Sequence, residues 1–149
     1  MLSLHRQTPT WESGSLSKTS GAMVLLKMEA LQPTGSFKIR GIGYACQARH
    51  EAGATRLVCS SGGNAGYAVA YSGRVLGAEV IVVVPETTPA FMRETIRREN
   101  ATVIEHGKSW DDAHAYASEL SKQAGTAYIH PFDDPLIWRG HASMIVEIA

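Results

Sequence analysis

Four short apolar runs recur at nearly even steps from Leu57 onward, and they constrain the fold more than any other feature of the chain. They begin near Leu57 (Leu-Val-Cys), Val80 (Val-Ile-Val-Val-Val), Thr102 (Thr-Val-Ile) and Ala127 (Ala-Tyr-Ile), so successive starts lie 23, 22 and 25 residues apart. Each run is apolar without alternation, the pattern of a strand buried on both faces. The segments between them carry helical periodicity. Trp110, Ala113, Ala117, Leu120 and Ala124 step by 3, 4, 3 and 4 and mark one apolar stripe. Asp111 and Asp112 would sit in the first turn of that helix, where the dipole favours acids. Breaks rich in Gly or Pro at 60–66, 85–89, 107–109 and 131–135 separate the units. The series predicts an α/β fold: an open, parallel, twisted sheet with right-handed crossovers and helices on both faces.

A different stretch precedes the repeat. Residues 23–28 read as a strand, 32–36 as a turn and 37–52 as a helix. At the far end, Ile137, Met144, Ile145 and Ile148 have helical spacing, and the pattern runs to Ala149 without a cap, Gly or Pro signal. That ending reads as a chain cut rather than finished.

Composition excludes several classes of function. The 149 residues amount to about one domain, and 44% hydrophobic content suffices for a core. Fourteen Lys and Arg balance fourteen Asp and Glu, which argues against a nucleic-acid binder or an acidic tail. No apolar run exceeds five residues, against about 20 for a membrane span. The start, Met1-Leu2-Ser3-Leu4-His5-Arg6, lacks the apolar stretch of a signal peptide, so a cytoplasmic protein is expected. Cys46 and Cys59 make neither a disulfide framework nor a Cys-x-x-Cys pair and read as buried thiols. Six scattered histidines offer no ligand spacing, so no metal site is expected.

Two motifs carry chemistry. In Gln32-Pro33-Thr34-Gly35-Ser36-Phe37-Lys38-Ile39-Arg40-Gly41, a lysine follows a turn, opens a helix and is flanked by Phe37 and Ile39. Partial burial lowers the pKa of such an amine and sharpens it as a nucleophile able to form a Schiff base with a carbonyl compound. The competing reading is a lysine that keeps its ammonium in water. In Ser60-Ser61-Gly62-Gly63-Asn64-Ala65-Gly66, a small-residue loop joins a strand to a helix. A parallel sheet places ligands there, beyond the strand's carboxyl end. Glycines let backbone N–H groups approach an anion, and the helix N-terminus favours negative charge. The competing reading is a tight turn with a Ser or Asn cap. The loop does not match Gly-x-Gly-x-x-Gly, so a nicotinamide cofactor is not supported. Asp133 and Asp134 could be paired catalytic carboxylates. Asp134 before Pro135 reads better as an N-cap with Pro at the first helical position.

Taken together, Gly-Ser-Phe-Lys-Ile-Arg-Gly and Ser-Ser-Gly-Gly-Asn-Ala-Gly resemble the fold-type II pyridoxal-phosphate enzymes, and within them the serine dehydratases and serine dehydratase-like proteins. Leu26-Lys27-Met28-Glu29, the stretch Val83 to Pro89, His130-Pro131-Phe132-Asp133-Asp134-Pro135-Leu136-Ile137-Trp138 and Gly140-His141-Ala142-Ser143 extend the resemblance over nearly the whole chain. It implies pyridoxal 5'-phosphate as cofactor and Lys38 as the lysine that bears it and serves as the catalytic residue. It further implies that Phe37 packs against the pyridine ring, that Asn64 hydrogen-bonds the phenolic oxygen, and that Ser61, Gly62, Gly63, Asn64 and Ala65 receive the substrate carboxylate.

The implied activity is deamination of L-serine, and of L-threonine, to a 2-oxo acid and ammonia, by a protein whose full-length form is a homodimer. The implied division is 1–35 as a strip of a large domain, 36–134 as a small α/β domain, and 135–149 as the start of the rest of the large domain. Family members are about twice this length. Their phosphate-anchoring glycine run, pyridine-nitrogen partner and monovalent-cation site have no counterpart here, so the chain is expected to be an N-terminal fragment with little activity alone. Two alternatives remain. A serine racemase uses related motifs but resembles this family with a serine where Gly62 stands. A non-catalytic binding module would use the sheet alone.

Overall fold

The computed structural model describes residues 3–149; Met1 and Leu2, the start of the N-terminal stretch considered above, lie outside the described residues. In chain order the elements are β1 (Thr10–Glu12), α1 (Gly14–Ser20), β2 (Leu25–Lys27), a 3-10 turn (Glu29–Leu31), α2 (Lys38–Glu51), β3 (Arg56–Cys59), α3 (Asn64–Leu76), β4 (Glu79–Val84), α4 (Ala90–Arg97), β5 (Thr102–Glu105), α5 (Trp110–Leu120), β6 (Thr126–Tyr128) and α6 (Pro135–Ile148).

All four apolar runs are strands of one parallel sheet, ordered β5-β4-β3-β6. Val58 lies opposite Ile81 on one side and Tyr128 on the other, and Val82 lies opposite Val103. The pleat sends alternate residues to opposite faces. Val58 and Val83 pack with Ala113 and Ala117 of α5. Leu57, Cys59, Val80, Val82 and Val84 join Ile42 of α2 and Ala68 and Val69 of α3 in the larger core. Both cysteines are buried free thiols, as their positions suggested.

Three features depart from the sequence reading. The strand expected over 23–28 is only Leu25–Lys27, and it pairs antiparallel with β1, which carries no strand signal because all three of its residues are exposed. Helix α1 has no buried residue and hence no apolar stripe to announce it. The stripe that begins at Trp110 stops at Leu120. Ala124 lies in the following turn, which Gly125 closes with φ +71°.

The N-terminal segment, α2 and α6 are joined by one buried cation. Arg40 is fully buried. Its guanidinium donates to Glu29 Oε2 at 2.7 Å and Oε1 at 2.8 Å, to Glu147 Oε1 and Oε2 at 2.7 Å each, and to Ser143 Oγ at 3.1 Å. Lys27 Nζ completes the cage at 2.6 Å from Glu147 Oε2. Beside it, α2 and α6 cross in backbone contact: a β-carbon on Gly41 would stand 2.5 Å from the Ile137 carbonyl oxygen, and one on Gly140 would overlap that of Arg40. Helix α6 starts as its sequence indicated, with Asp134 accepting from Leu136 N–H at 2.8 Å and Pro135 in first position. Among the described residues, no helix is long and apolar enough to cross a membrane.

Removing one member of a buried ionic cluster leaves its partners uncompensated and costs about 3–5 kcal/mol. Arg40→Ala should therefore destabilise the fold by that order in urea unfolding, and a loss below about 1 kcal/mol would contradict the role given to the cage. The hydrogen bonds from Arg40 hold the Glu147 carboxyl down from 4.5 to about 2. A depressed carboxyl stabilises the fold above its unfolded pKa, and that contribution is lost as pH falls from about 4.5 toward 2. Glu147→Gln should flatten the stability profile across this window, and an unchanged slope would exclude Glu147 as its source.

Candidate active site

The turn before α2 places Lys38. Gly35 N–H donates to the Gln32 carbonyl at 2.8 Å, and Gly35 adopts φ +68°, a conformation other residues rarely accept. Lys38 then opens the helix with its Nζ donating to the Pro131 carbonyl at 3.0 Å. Burial lowers the pKa of the amine. The neighbouring Cys59 thiol offers no opposing charge, because its own burial pushes it up to about 12. Phe37 is half-exposed, with its ring centroid 5.6 Å from Lys38 Nζ and 5.0 Å from the His141 ring. Burial first, then the charges of Lys38 and Arg40, lower His141 to about 4, so the ring is neutral and adds no positive charge beside the amine.

The second motif forms the β3–α3 loop. Gly63 occupies the N-cap of α3 and Asn64 the first helical position, and no side chain caps this helix. The Ser or Asn cap of the competing reading is therefore not what the loop provides. Within the loop, Gly63 N–H donates to Ser61 Oγ at 3.3 Å. An uncapped helix start leaves backbone N–H groups for an anion. The loop folds tightly because a β-carbon on Gly66 would overlap the Ser61 carbonyl oxygen.

A cavity of about 300 Å³ brings the two motifs together. It is lined by Lys38, Ser61, Asn64, Ala65, Trp110, Pro131 and Phe132. Gly62, Gly63 and Phe37 lie outside that lining. Gly62 sits under Thr88, whose Cγ2 would be 2.5 Å from a β-carbon built there. The sequence reading missed Trp110, Pro131 and Phe132 as wall residues. Pro131 and Phe132 follow the carboxyl end of β6, the place where parallel sheets bind ligands, so that rule alone could have found them. Trp110 gave no signal beyond its place in an apolar stripe. Asp134 caps α6 and its carboxylate accepts from Arg49 at 3.1 Å, so it serves the helix start, as the N-cap reading expected, while Asp133 N–H donates to His130 Nδ1 at 2.7 Å.

An amine of lowered basicity, beside a half-exposed aromatic ring and across a cavity from an uncapped helix, suits a carbonyl-bearing aromatic cofactor and an anionic substrate. The chain belongs to the pyridoxal-phosphate dependent enzymes, whose family model matches residues 1–149. It is 50% identical over 147 residues to the L-serine dehydratase/L-threonine deaminase of Mus musculus, covering 98% of this chain and 45% of that protein. A fungal L-serine ammonia-lyase from Rhizomucor miehei superposes with a TM-score of 0.92 at 38% identity, over 99% of this chain and 47% of its own. A serine racemase from Dictyostelium discoideum superposes at 0.87 with 30% identity, over 97% and 47%. The chain thus spans about half the length of the relatives it matches.

The contact between Gly66 and Ser61 is backbone against backbone, so relief requires the loop to move. Gly66→Ala should lower stability by about 1–3 kcal/mol and speed amide exchange across 61–65. Unchanged exchange there would show that Gly66 does not shape the loop.

Proposed function

We propose that this chain is the lysine-bearing part of an enzyme that deaminates L-serine, and L-threonine as well, to a 2-oxo acid and ammonia. The carrying observation is the single cavity that sets the Lys38 amine opposite the 61–65 loop and the uncapped start of α3. The half-identity to an L-serine dehydratase/L-threonine deaminase supports it.

Lys38 would hold pyridoxal phosphate through its amine, Phe37 would pack against the pyridine ring, and Asn64 would bond the phenolic oxygen. When bound, the cofactor supplies an electron sink for negative charge at the substrate α-carbon. The backbone N–H groups of Ser61, Gly62, Gly63, Asn64 and Ala65 would take the carboxylate and fix the substrate's orientation. The Lys38 amine would also remove the α-proton; its burial-lowered pKa makes a neutral amine accessible. Trp110 and Phe132 line the same cavity as the amine. The α-proton and the β-hydroxyl would together leave as one water, and hydrolysis of the resulting enamine would return the oxo acid and ammonia.

The residues that anchor the phosphate, face the pyridine nitrogen and bind a monovalent cation belong to the half of the family's length that these 149 residues do not span. A cytoplasmic homodimer, with 36–134 as the small domain flanked by strips of the large one, is the assembly that goes with this reading. A racemase shares the fold, but Gly62 has no side chain to deliver a proton to the face opposite Lys38. Retention of both Lys38 and Asn64 favours an enzyme over a binding module.

Lys38→Ala in the full-length protein should abolish covalent capture of pyridoxal phosphate, read by borohydride reduction and mass spectrometry. It should also cut pyruvate release from L-serine by roughly 10²–10⁴-fold, the scale of a lost general base. Reductive labelling at another lysine, or near-normal turnover, would overturn the assignment.

A further inference from the structure

Ser60 stands immediately before the carboxylate loop and is fully buried, yet it lies beyond the β3–β6 ladder, which ends at Val58 and Tyr128. Side chains hold it instead. Its hydroxyl meets Tyr128 Oη at 2.6 Å, and its carbonyl accepts from Trp110 Nε1 at 2.8 Å. Tyr128 Oη also meets His114 Nδ1 at 2.7 Å. The His114 ring in turn stacks on Trp110, with centroids 4.8 Å apart and planes within 11°. The contacts therefore close a ring: Ser60, Tyr128, His114, Trp110 and back to Ser60.

We propose that Trp110, His114 and Tyr128 are positioning residues that hold Ser60, and through it the 61–65 loop, in the conformation that receives the substrate carboxylate. The proposal rests on the serine-deaminating reading of this site.

The loop needs such a brace because two of its five residues are glycines, which lose the most conformational freedom on ordering. Donors aimed at a charge work best when their geometry is set beforehand. The Ser61 carbonyl against Gly66 fixes where the loop joins α3, and the ring around Ser60 fixes where it leaves β3. Trp110 is itself pinned. It is the first residue of α5, whose start is closed by a capping box: Asp112 N–H donates to Ser109 Oγ at 3.2 Å, and Ser109 N–H donates to Asp112 Oδ2 at 3.0 Å. Burial pushes the Tyr128 hydroxyl up to about 12, so it stays protonated and able to donate at any working pH. The same indole that bonds Ser60 lines the cavity, so the brace and the cavity wall share one side chain.

The test uses the full-length protein loaded with pyridoxal phosphate and the variants Tyr128→Phe and His114→Ala. Loss of one such hydrogen bond should raise KM for L-serine roughly 3- to 10-fold, with kcat changing less than about twofold. L-serinamide, which lacks the carboxylate charge, should show no matching loss, so the preference for serine over its amide should narrow. Amide exchange across 61–65 should accelerate, while reductive labelling of Lys38 stays intact. His114→Asn keeps an acceptor near the Nδ1 position and should recover most of the KM. Unchanged KM with unchanged 61–65 exchange would overturn the proposal. So would equal losses on serine and serinamide, which mark general damage rather than a carboxylate effect. If the wild-type protein does not deaminate serine, the dehydratase reading fails by itself. The brace is then decided by the exchange of 61–65, which needs no turnover.

Discussion

A fully buried guanidinium cannot exist alone in a protein interior, and Arg40 is fully buried. Its two carboxylate partners come from opposite ends of the chain, Glu29 before α2 and Glu147 near the end of α6. Thr8, Lys27 and Ser143 fill the remaining valences. Burial works against both the cation and Glu29, and the mutual hydrogen bonds outweigh it: Arg40 is held above its ordinary pKa and Glu29 below. Segments that share no β-ladder with the parallel sheet are thus tied to it through one helix. That helix is α2, and two residues before Arg40 it carries Lys38. The cage therefore fixes the base on which the reactive amine stands.

The crossing of α2 and α6 depends on the same turn of helix. Gly41 and Gly140 let the two backbones touch, and the contact atoms are the carbonyls of Ile137 and Arg40 themselves. Ile137 is fully buried there. Elsewhere α6 leaves Trp138, Ile145, Val146 and Ile148 substantially exposed, as β1 and β2 leave Trp11, Leu25 and Leu26. The ionic cage and the glycine contact, rather than a broad apolar interface, seat this part of the chain.

What the sequence disclosed follows from what each element buries. The four strands were legible because both faces are covered, so the residues read as unbroken apolar runs. The Asp134-Pro135 helix start was legible because capping is a local interaction between neighbours. β1 and α1 were not, since neither buries a residue and no periodicity results. At the site, Lys38 and the 60–66 loop announced themselves through turn chemistry. Trp110 misled, because helical spacing reports which side of a helix is apolar and not whether that side meets a core or a cavity wall. His114 and Tyr128 had no local signal at all, and Pro131 had only its place after a strand's carboxyl end. Their roles depend on contacts across 14 to 93 positions, such as Lys38 to Pro131, which only the folded sheet brings together.

The cavity reconciles two opposed electrostatic demands. A nucleophilic lysine must be able to lose its proton, and burial supplies that tendency. A substrate carboxylate brought near the amine would reverse it, since an opposite charge within a few ångströms stabilises the ammonium. On the proposed reading the anion would have its own partners, the N–H groups at the start of α3, which no side chain caps, and those of the loop before it. The amine bonds a neutral carbonyl, and the thiol and imidazole that share its surroundings are neutral as well. A carboxylate held by backbone dipoles is partly neutralised before its field reaches Lys38, and that holds only while the loop keeps its donors aimed. On that reading the aim of the 61–65 loop and the basicity of Lys38 would be one property of the site, set from β3, α5 and β6 on one side and from the Arg40 cage on the other.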